Sequence, residues 1–127
     1  MIYIDTSAVV KLVVEESESQ ALREAVTGRT PYAISVVGEI ETIRACRRAQ
    51  IPADQVDSVR RRLLVIPLAA EIADLAETIG PSELRSLDAI HLATALSIEE
   101  DLEELVTYDV RLADAAREAG LTVLAPA

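Results

Sequence analysis

Short apolar runs that alternate with helical segments are the feature that most restricts how this chain can fold. Each run has the length of a buried strand and is bounded by polar, glycine or proline residues. The predicted strands are Ile2–Asp5, Pro31–Ser35, Leu64–Pro67, Leu105–Thr107 and Thr122–Leu124. Strands separated in this way by helices imply βαβ units and a mainly parallel sheet. The sequence therefore predicts a three-layer α/β/α fold around about four to five strands.

The helical segments between these strands are delimited by caps and breakers. The predicted helices are Ala8–Val14, a segment from Ser17 or Ser19 to about Thr27, Val36 to about Ala49, Pro52 to about Leu63, Ala69–Ile79, Ser86–Ser97 and Val110–Ala119. No internal repeat, low-complexity tract or long linker divides the 127 residues. A single domain that spans residues 1–127 is therefore expected.

Composition excludes several classes of protein. Half of the residues are apolar, but the chain has no Phe or Trp and only three Tyr, so a platform for stacking bases is excluded. No apolar run approaches the roughly 20 residues of a membrane helix, and no basic leader precedes the first strand, which favours a cytoplasmic location. Cys46 is the only cysteine. It excludes an internal disulfide or a cysteine-built zinc site and is predicted to be a core residue.

The charge of the chain is strongly negative, at −10 from 22 acids and 12 bases. This total argues against a protein that is held on nucleic acid by its overall field. Six of the twelve bases nevertheless lie within one stretch of the chain. These six are Arg44, Arg47, Arg48, Arg60, Arg61 and Arg62. A local basic face that contacts RNA is one interpretation, and an ordinary solvated helix face is the other.

Two aspartates lie where predicted strands end. Asp5 closes the first strand, and Asp109 follows the Leu105–Thr107 strand by two residues. In open parallel sheets, sites form outside the carboxyl ends of the strands at a switch in strand order. Each aspartate is equally well explained as the N-cap of the next helix, and one residue can serve both purposes. Thr107 is placed to orient Asp109 or a metal-bound water.

Two further acids lie inside predicted helices. Asp88 is in the first turn of an otherwise apolar helix, where a buried carboxylate requires a partner or a metal. His91 lies one turn further on the same face, and a packed or supporting histidine is favoured over a catalytic one. Glu41 shares a face with Arg44 and Arg48, so it is either an ion-pair partner or an acid beside arginines that bind phosphate.

These four acids could not all stay ionised at close range without a cation between them. Hard oxygen ligands suit Mg²⁺ or Mn²⁺, and such sites commonly perform phosphoryl chemistry. The candidate metal ligands are Asp5, Glu41, Asp88 and Asp109.

The motifs that carry these acids resemble those of the PIN domain family, most closely its VapC-type toxins. The motifs are Tyr3-Ile-Asp5-Thr-Ser, Glu41-x-x-Arg44, Leu87-Asp88-Ala-Ile-His91 and Thr107-Tyr-Asp109-x-Arg111-Leu112. They occur in the expected order over essentially the whole chain. The resemblance selects Glu41 over Glu39, because Arg44 follows it.

The resemblance implies an endoribonuclease of a toxin–antitoxin pair that hydrolyses RNA phosphodiesters and leaves a 3′-hydroxyl. It implies one or two Mg²⁺ or Mn²⁺ ions on Asp5, Glu41, Asp88 and Asp109. Thr6 or Ser7 and Thr107 would support the metal or its waters, and Arg44 or Arg48 would bind phosphate. A VapB-like antitoxin in an apolar groove and a homodimer are also implied.

Two other functions are compatible with parts of the sequence. Phosphoaspartate chemistry at Asp5 would need a later lysine, but Lys11 is the only lysine, and Ser7 stands where the phosphatase signature has its second acid. A PIN-like module that binds RNA or protein without cutting it would be expected to have lost one of the four acids.

Overall fold

The computed structural model describes all 127 residues, Met1–Ala127, and contains one five-stranded sheet. All four pairings between neighbouring strands are parallel. The strands are β1 (Ile2–Ile4), β2 (Tyr32–Ser35), β3 (Leu63–Ile66), β4 (Glu104–Val106) and β5 (Val123–Leu124), in the order β3-β2-β1-β4-β5. The predicted parallel sheet is confirmed, and all five expected strands are present.

Seven helices connect and cover these strands. They are α1 (Thr6–Val13), α2 (Ser19–Val26), α3 (Val36–Arg48), α4 (Ala53–Arg60), α5 (Ala70–Ala76), α6 (Ser86–Ser97) and α7 (Val110–Glu118), with a short 3₁₀ turn at Glu99–Asp101. None of the helices combines the length and the apolar character that crossing a membrane requires. Each predicted helix exists, and the differences lie at helix ends.

Two helices end earlier than the sequence predicts. Helix α4 was expected to reach Leu63, but that residue already pairs with Tyr32 in the sheet. Leu63 is the first residue of β3, and Arg61 and Arg62 form the turn before it. Helix α5 was expected to reach Ile79 and stops at Ala76, because the amides of Thr78 and Ile79 both bond the carbonyl of Leu75. Such boundary shifts are ordinary where a helix tightens at its last turn.

Residues of β1 alternate between two separate cores, which explains the three-layer arrangement. Ile2 and Ile4 pack on one face of the sheet with residues of α1, α2 and α4. Tyr3 points to the other face, where residues of α6 and α7 pack. Since successive side chains of a strand face opposite ways, one short strand supports both cores. The predicted α/β/α architecture is thereby confirmed, and Cys46 is buried as expected.

The strand order places a switch point beside the central strand. From β1 the chain builds outward through β2 to β3, then returns to form β4 on the other side of β1. Loops after β1 and β4 therefore diverge to opposite sides and leave a crevice at the carboxyl edge of the sheet. Asp5 and Asp109 are in those two loops, and each caps the helix that follows it.

Candidate metal centre

Four separate parts of the fold bring acidic side chains to the carboxyl edge of the sheet. Asp5 directly follows β1, and Asp109 lies three residues beyond the last residue of β4. Glu41 comes from α3, and Asp88 comes from the first turn of α6. Shared partners connect Asp5, Asp109 and Asp88, and Thr6, the chain neighbour of Asp5, bonds Glu41.

Asp5 is a buried carboxylate, 4% exposed, that is held by three donors. Its Oδ1 accepts from the Ser7 hydroxyl at 2.7 Å and from the backbone N–H of Ala8 at 3.1 Å. Its Oδ2 accepts from the Thr107 hydroxyl at 2.6 Å. Burial raises the pKa of Asp5 even though these hydrogen bonds act in the opposite direction. Asp5 is therefore both a helix cap and a carboxylate whose charge costs energy in the metal-free protein.

Thr107 connects the two aspartates at the switch point. Its hydroxyl donates to Asp5 and accepts the backbone N–H of Asp109 at 3.0 Å. Asp109 Oδ1 accepts the N–H of Leu112 at 3.0 Å, which leaves its Oδ2 for other partners. The structure thus places the hydroxyls of Thr107 and Ser7 against Asp5.

Glu41 is held from the opposite side by a threonine and the only histidine. Its Oε1 accepts from the Thr6 hydroxyl at 2.7 Å and lies 3.2 Å from His91 Nε2. The bond to His91, supported by the one to Thr6, lowers the pKa of Glu41. The i,i+3 ion pair with Arg44 that a purely structural role would provide is not formed, since His91 is the only basic partner of Glu41.

A buried tyrosine fixes the orientation and tautomer of His91. The Ser35 backbone N–H donates to the Tyr3 hydroxyl at 3.0 Å, and that hydroxyl lies 2.7 Å from His91 Nδ1. Because the Glu41 carboxylate can only accept, Nε2 is the nitrogen that donates to it, and in the neutral imidazole Nδ1 then accepts the Tyr3 O–H. Burial raises the pKa of Tyr3 far above its ordinary value, so it stays a donor. His91 is packed, as the sequence favoured, and it also positions a candidate ligand.

A glycine in α3 makes room for this histidine. A Cβ added at Gly38 would lie 2.6 Å from His91 Cε1 and 2.7 Å from Ile34 Cγ1. A glycine inside a helix ordinarily costs about 1 kcal/mol relative to alanine. Here the missing side chain lets α3 and α6 approach closely enough for His91 to reach Glu41.

Asp88 and Asp109 are bridged by an arginine of their own chain. Arg85 Nε lies 3.3 Å from Asp88 Oδ2, and Arg85 Nη2 lies 3.1 Å from Asp109 Oδ2. Burial and the neighbouring negative charge of Asp109 raise the pKa of Asp88. One exposed guanidinium therefore reduces the repulsion between two carboxylates that approach each other from α6 and α7.

The donor set fits a hard divalent cation, although the ligands are not gathered into a finished coordination shell. Four carboxylates with threonine and serine hydroxyls beside them provide oxygen donors only, which suits Mg²⁺ or Mn²⁺. Burial raises the pKa of Asp5 and of Asp88, and the charge of Asp109 adds to the effect at Asp88, so a nearby cation would offset the cost of ionising both. No group of three or more acidic, histidine or cysteine side chains is close enough to hold a metal as it stands.

The remaining candidate residues are arginines on α3 and around the α4–β3 turn. Arg44 and Arg48, with Arg47, line a surface hollow of about 330 Å³ on α3 and form no ion pair. Arg60 lies 3.9 Å from Glu39. Arg61 and Arg62 precede the amino end of β3, at the edge of the sheet opposite to the four acids.

The structure gives Lys11 a position that does not serve Asp5. Its ammonium bonds Glu16 at 2.8 Å and Glu18 at 3.0 Å, and it lies 4.9 Å from the centre of the Tyr108 ring. Phosphoaspartate chemistry therefore has no lysine at the candidate site.

Three residues of the site had no assigned role at the level of sequence. They are Tyr3, Gly38 and Arg85. Only Arg85 had a local signal, since it precedes Asp88 by three residues immediately before a helix begins. Tyr3 and His91 are 88 positions apart, so nothing local links them.

Comparison with known proteins identifies the family to which this chain belongs. The family model of the PIN domain matches residues 2–118, and the chain belongs to that family. Within it, the similarity is to VapC ribonucleases. Ribonuclease VapC47 of Mycobacterium tuberculosis is 42% identical over 133 residues, which cover 99% of this chain and 97% of that protein. Ribonuclease VapC46 of the same species is 43% identical over 132 residues, covering 98% of this chain and 97% of that protein.

Solved structures support the same fold. VapC20 of Mycobacterium tuberculosis, described as a toxin that cleaves the sarcin-ricin loop, has a TM-score of 0.73 at 15% identity, covering 99% of this chain and 100% of that chain. A toxin–antitoxin complex from Klebsiella pneumoniae has a TM-score of 0.71 at 22% identity, covering 100% and 98%. The resemblance to VapC-type PIN domains that the four motifs indicated is thus confirmed.

Proposed function

We propose that this protein is a metal-dependent endoribonuclease, the toxin of a VapBC-like toxin–antitoxin pair, that hydrolyses RNA phosphodiesters in the cytoplasm. One or two Mg²⁺ ions, or Mn²⁺, would be held by Asp5, Glu41, Asp88 and Asp109. The observation that carries the proposal is that four different parts of the fold bring these acids to one edge of the sheet. Shared partners link Asp5, Asp109 and Asp88 there, and Thr6, the chain neighbour of Asp5, bonds Glu41.

The contacts run around the carboxyl edge of the sheet. Asp5 is joined to Asp109 through Thr107, and Asp109 is joined to Asp88 through Arg85. Glu41 accepts a hydrogen bond from Thr6, which follows Asp5 at the start of α1. Helix capping alone would account for the presence of Asp5 and of Asp109, but it accounts for neither Glu41 nor Asp88. A common function in holding a cation explains all four.

In this proposal the protein's own residues chiefly position the reacting groups. A cation at the site would supply positive charge for the scissile phosphate and lower the pKa of a bound water. Ser7 and Thr107 fix the two oxygens of Asp5, and Thr6 and His91 fix Glu41, so each carboxylate presents a defined direction. Such fixed ligands cost little reorganisation during the reaction.

The RNA path would leave the acids along α3. Glu41 and Arg44 lie one helical turn apart, and Arg47 and Arg48 continue the same side of the helix. The arginines are exposed and form no ion pairs, so they are available to phosphates. A short positive path beside the acids would compensate locally for the net charge of −10.

An apolar groove of about 660 Å³ between α5 and α6 provides a surface for the antitoxin. Its lining includes Leu68, Ala76, Ile79, Leu84 and Ile90. The solved neighbours include toxin–antitoxin complexes, among them VapBC2 from Rickettsia felis bound to a promoter DNA fragment. We infer a VapB-like partner whose amphipathic helix occupies this groove. A homodimer, as in the VapC resemblance, completes the proposed assembly.

The test is cleavage of total cellular RNA by purified, antitoxin-free protein in Mg²⁺ or Mn²⁺ and in EDTA. Wild type should give discrete fragments only with metal, and Asp88→Asn should reduce the rate by at least about 100-fold, because it removes charge from a ligand. Asp74→Asn, an exposed acid on α5 with no ionic contact, is the matched control and should cleave normally. Metal-independent cleavage would contradict the proposed centre. RNA binding without any cleavage by folded wild type would favour the non-cleaving module.

A further inference from the structure

Arg85 is the only arginine that contacts any of the four candidate ligands, and it contacts two of them. It binds Asp88 through Nε and Asp109 through Nη2. Its side chain is nevertheless 64% exposed, whereas those of Asp88 and Asp109 are 11% and 24% exposed. The guanidinium therefore covers the carboxylates from the solvent side, where a substrate would approach.

The atoms that Arg85 contacts are the ones a cation would need. Asp109 uses Oδ1 to cap α7, so Oδ2 is its free oxygen, and Arg85 lies on it. Arg85 also lies on Asp88 Oδ2. A divalent ion between these carboxylates would need Asp109 Oδ2 and would therefore compete with Arg85 for that oxygen. At Asp109 Oδ2 the arginine and an ion would exclude each other.

We propose that Arg85 exchanges partners during the reaction: it neutralises Asp88 and Asp109 in the metal-free protein and binds an RNA phosphate once metal displaces it. The inference rests on the proposed function and adds a substrate-binding residue and an order of binding to it. Exposed arginine–carboxylate pairs are weak, so an ion can displace the side chain easily. Its backbone is fixed at the start of α6, so the released guanidinium remains beside the site.

Arginine chemistry suits this exchange. A guanidinium has two parallel N–H donors that fit a carboxylate or a phosphate equally well, with little change in geometry. When metal covers the acids, the nearest uncompensated anion is the RNA backbone. The side chain would then change from a screen over the acids into a clamp on the phosphate.

The exchange predicts two effects of opposite sign for Arg85→Gln. Affinity for Mn²⁺ without RNA, measured by titration calorimetry, should rise by about 1.5- to 5-fold for each ion pair removed. Binding of a mixed-sequence 2′-O-methyl RNA in Mg²⁺ should weaken by about tenfold, with the salt slope reduced by about 0.7. In EDTA the loss of RNA binding should be clearly smaller than in Mg²⁺, because Arg85 then lies on the acids and only its screening of them is removed. Arg85→Lys should show smaller effects of the same sign.

Arg117→Gln is the matched control, since Arg117 is 57% exposed and forms an i,i+3 pair with Asp114 on α7. It should change neither Mn²⁺ affinity nor RNA binding. Weaker Mn²⁺ binding by Arg85→Gln would show that Arg85 organises the ligands, and it would overturn the exchange alone. Unchanged RNA binding in Mg²⁺ would overturn it as well. A wild type that binds no Mn²⁺ would contradict the metal centre itself, and the exchange with it.

Discussion

At the scale of single residues, the site depends on hydroxyl groups that hold charged side chains in place. Tyr3 shows this most clearly, because its hydroxyl accepts from the Ser35 amide and donates to His91. His91 in turn donates to Glu41. Through His91, the buried Tyr3 on the sheet therefore orients the carboxylate of Glu41 on helix α3.

Tyr3→Phe should reduce cleavage by about tenfold or more, the usual effect of losing a group that orients a ligand. It should also destabilise the protein by about 1–3 kcal/mol, since a buried donor and a buried acceptor lose their partner. Steady-state cleavage and urea unfolding measure the two effects.

Tyr32→Phe supplies the comparison that separates positioning from stability. Tyr32 is also buried, and its hydroxyl donates only to the Val26 carbonyl, which keeps the amide of Arg29 as a partner. This variant should lose less stability and cleave as wild type does. Equal cleavage by both variants would show that the Tyr3 hydroxyl does not influence Glu41.

At the scale of secondary-structure elements, the sequence predicts which helices and strands exist better than it predicts how they are arranged. Every strand was visible because each apolar run is short and bounded, and Asp5 and Asp109 are marked by their places after strands. The order β3-β2-β1-β4-β5 carries no local signal, because it depends on which strands become neighbours after long crossovers. The contacts of His91 with Tyr3 and of Arg85 with Asp109 depend on that order, so the sequence alone did not reveal them.

The arginines of helix α3 and those of the α4–β3 turn are alternative surfaces for binding RNA. Replacing Arg44, Arg47 and Arg48 together by Gln should weaken RNA binding and reduce its salt slope by about 2, since about 0.7 is lost for each phosphate contact. The assay is fluorescence anisotropy with labelled cellular RNA, in an Asp88→Asn background that prevents cleavage.

The triple replacement of Arg60, Arg61 and Arg62 by Gln tests the other basic set predicted to contact RNA. It should weaken binding less, because Arg61 and Arg62 lie at the opposite edge of the sheet and Arg60 is near Glu39. Both triple variants remove the same charge, so overall electrostatics cancels in the comparison. A larger loss from the α4–β3 set would place the RNA path on that side of the molecule.

At the scale of the whole molecule, the acids of the site lower the stability of the metal-free protein. Burial raises the pKa of Asp5, and burial together with the negative charge of Asp109 raises the pKa of Asp88. A group whose pKa is higher in the folded state destabilises the fold increasingly as pH rises through that pKa. The unloaded site therefore lowers stability at neutral pH, and a bound cation should restore it.

Asp5→Asn should consequently make the protein more stable in EDTA while abolishing cleavage. The amide keeps one oxygen to cap α1 and removes the buried charge. The gain over wild type should be absent at low pH, where Asp5 is protonated in both states, should grow as pH rises from the ordinary aspartate pKa to the raised one, and should stay constant above it. Mg²⁺ at 100 times its dissociation constant should stabilise wild type by about 2.7 kcal/mol and the variant far less. Thermal unfolding across pH, with and without Mg²⁺, measures both effects. If wild type is the more stable protein in EDTA at neutral pH, Asp5 is a structural cap whose charge costs the fold nothing.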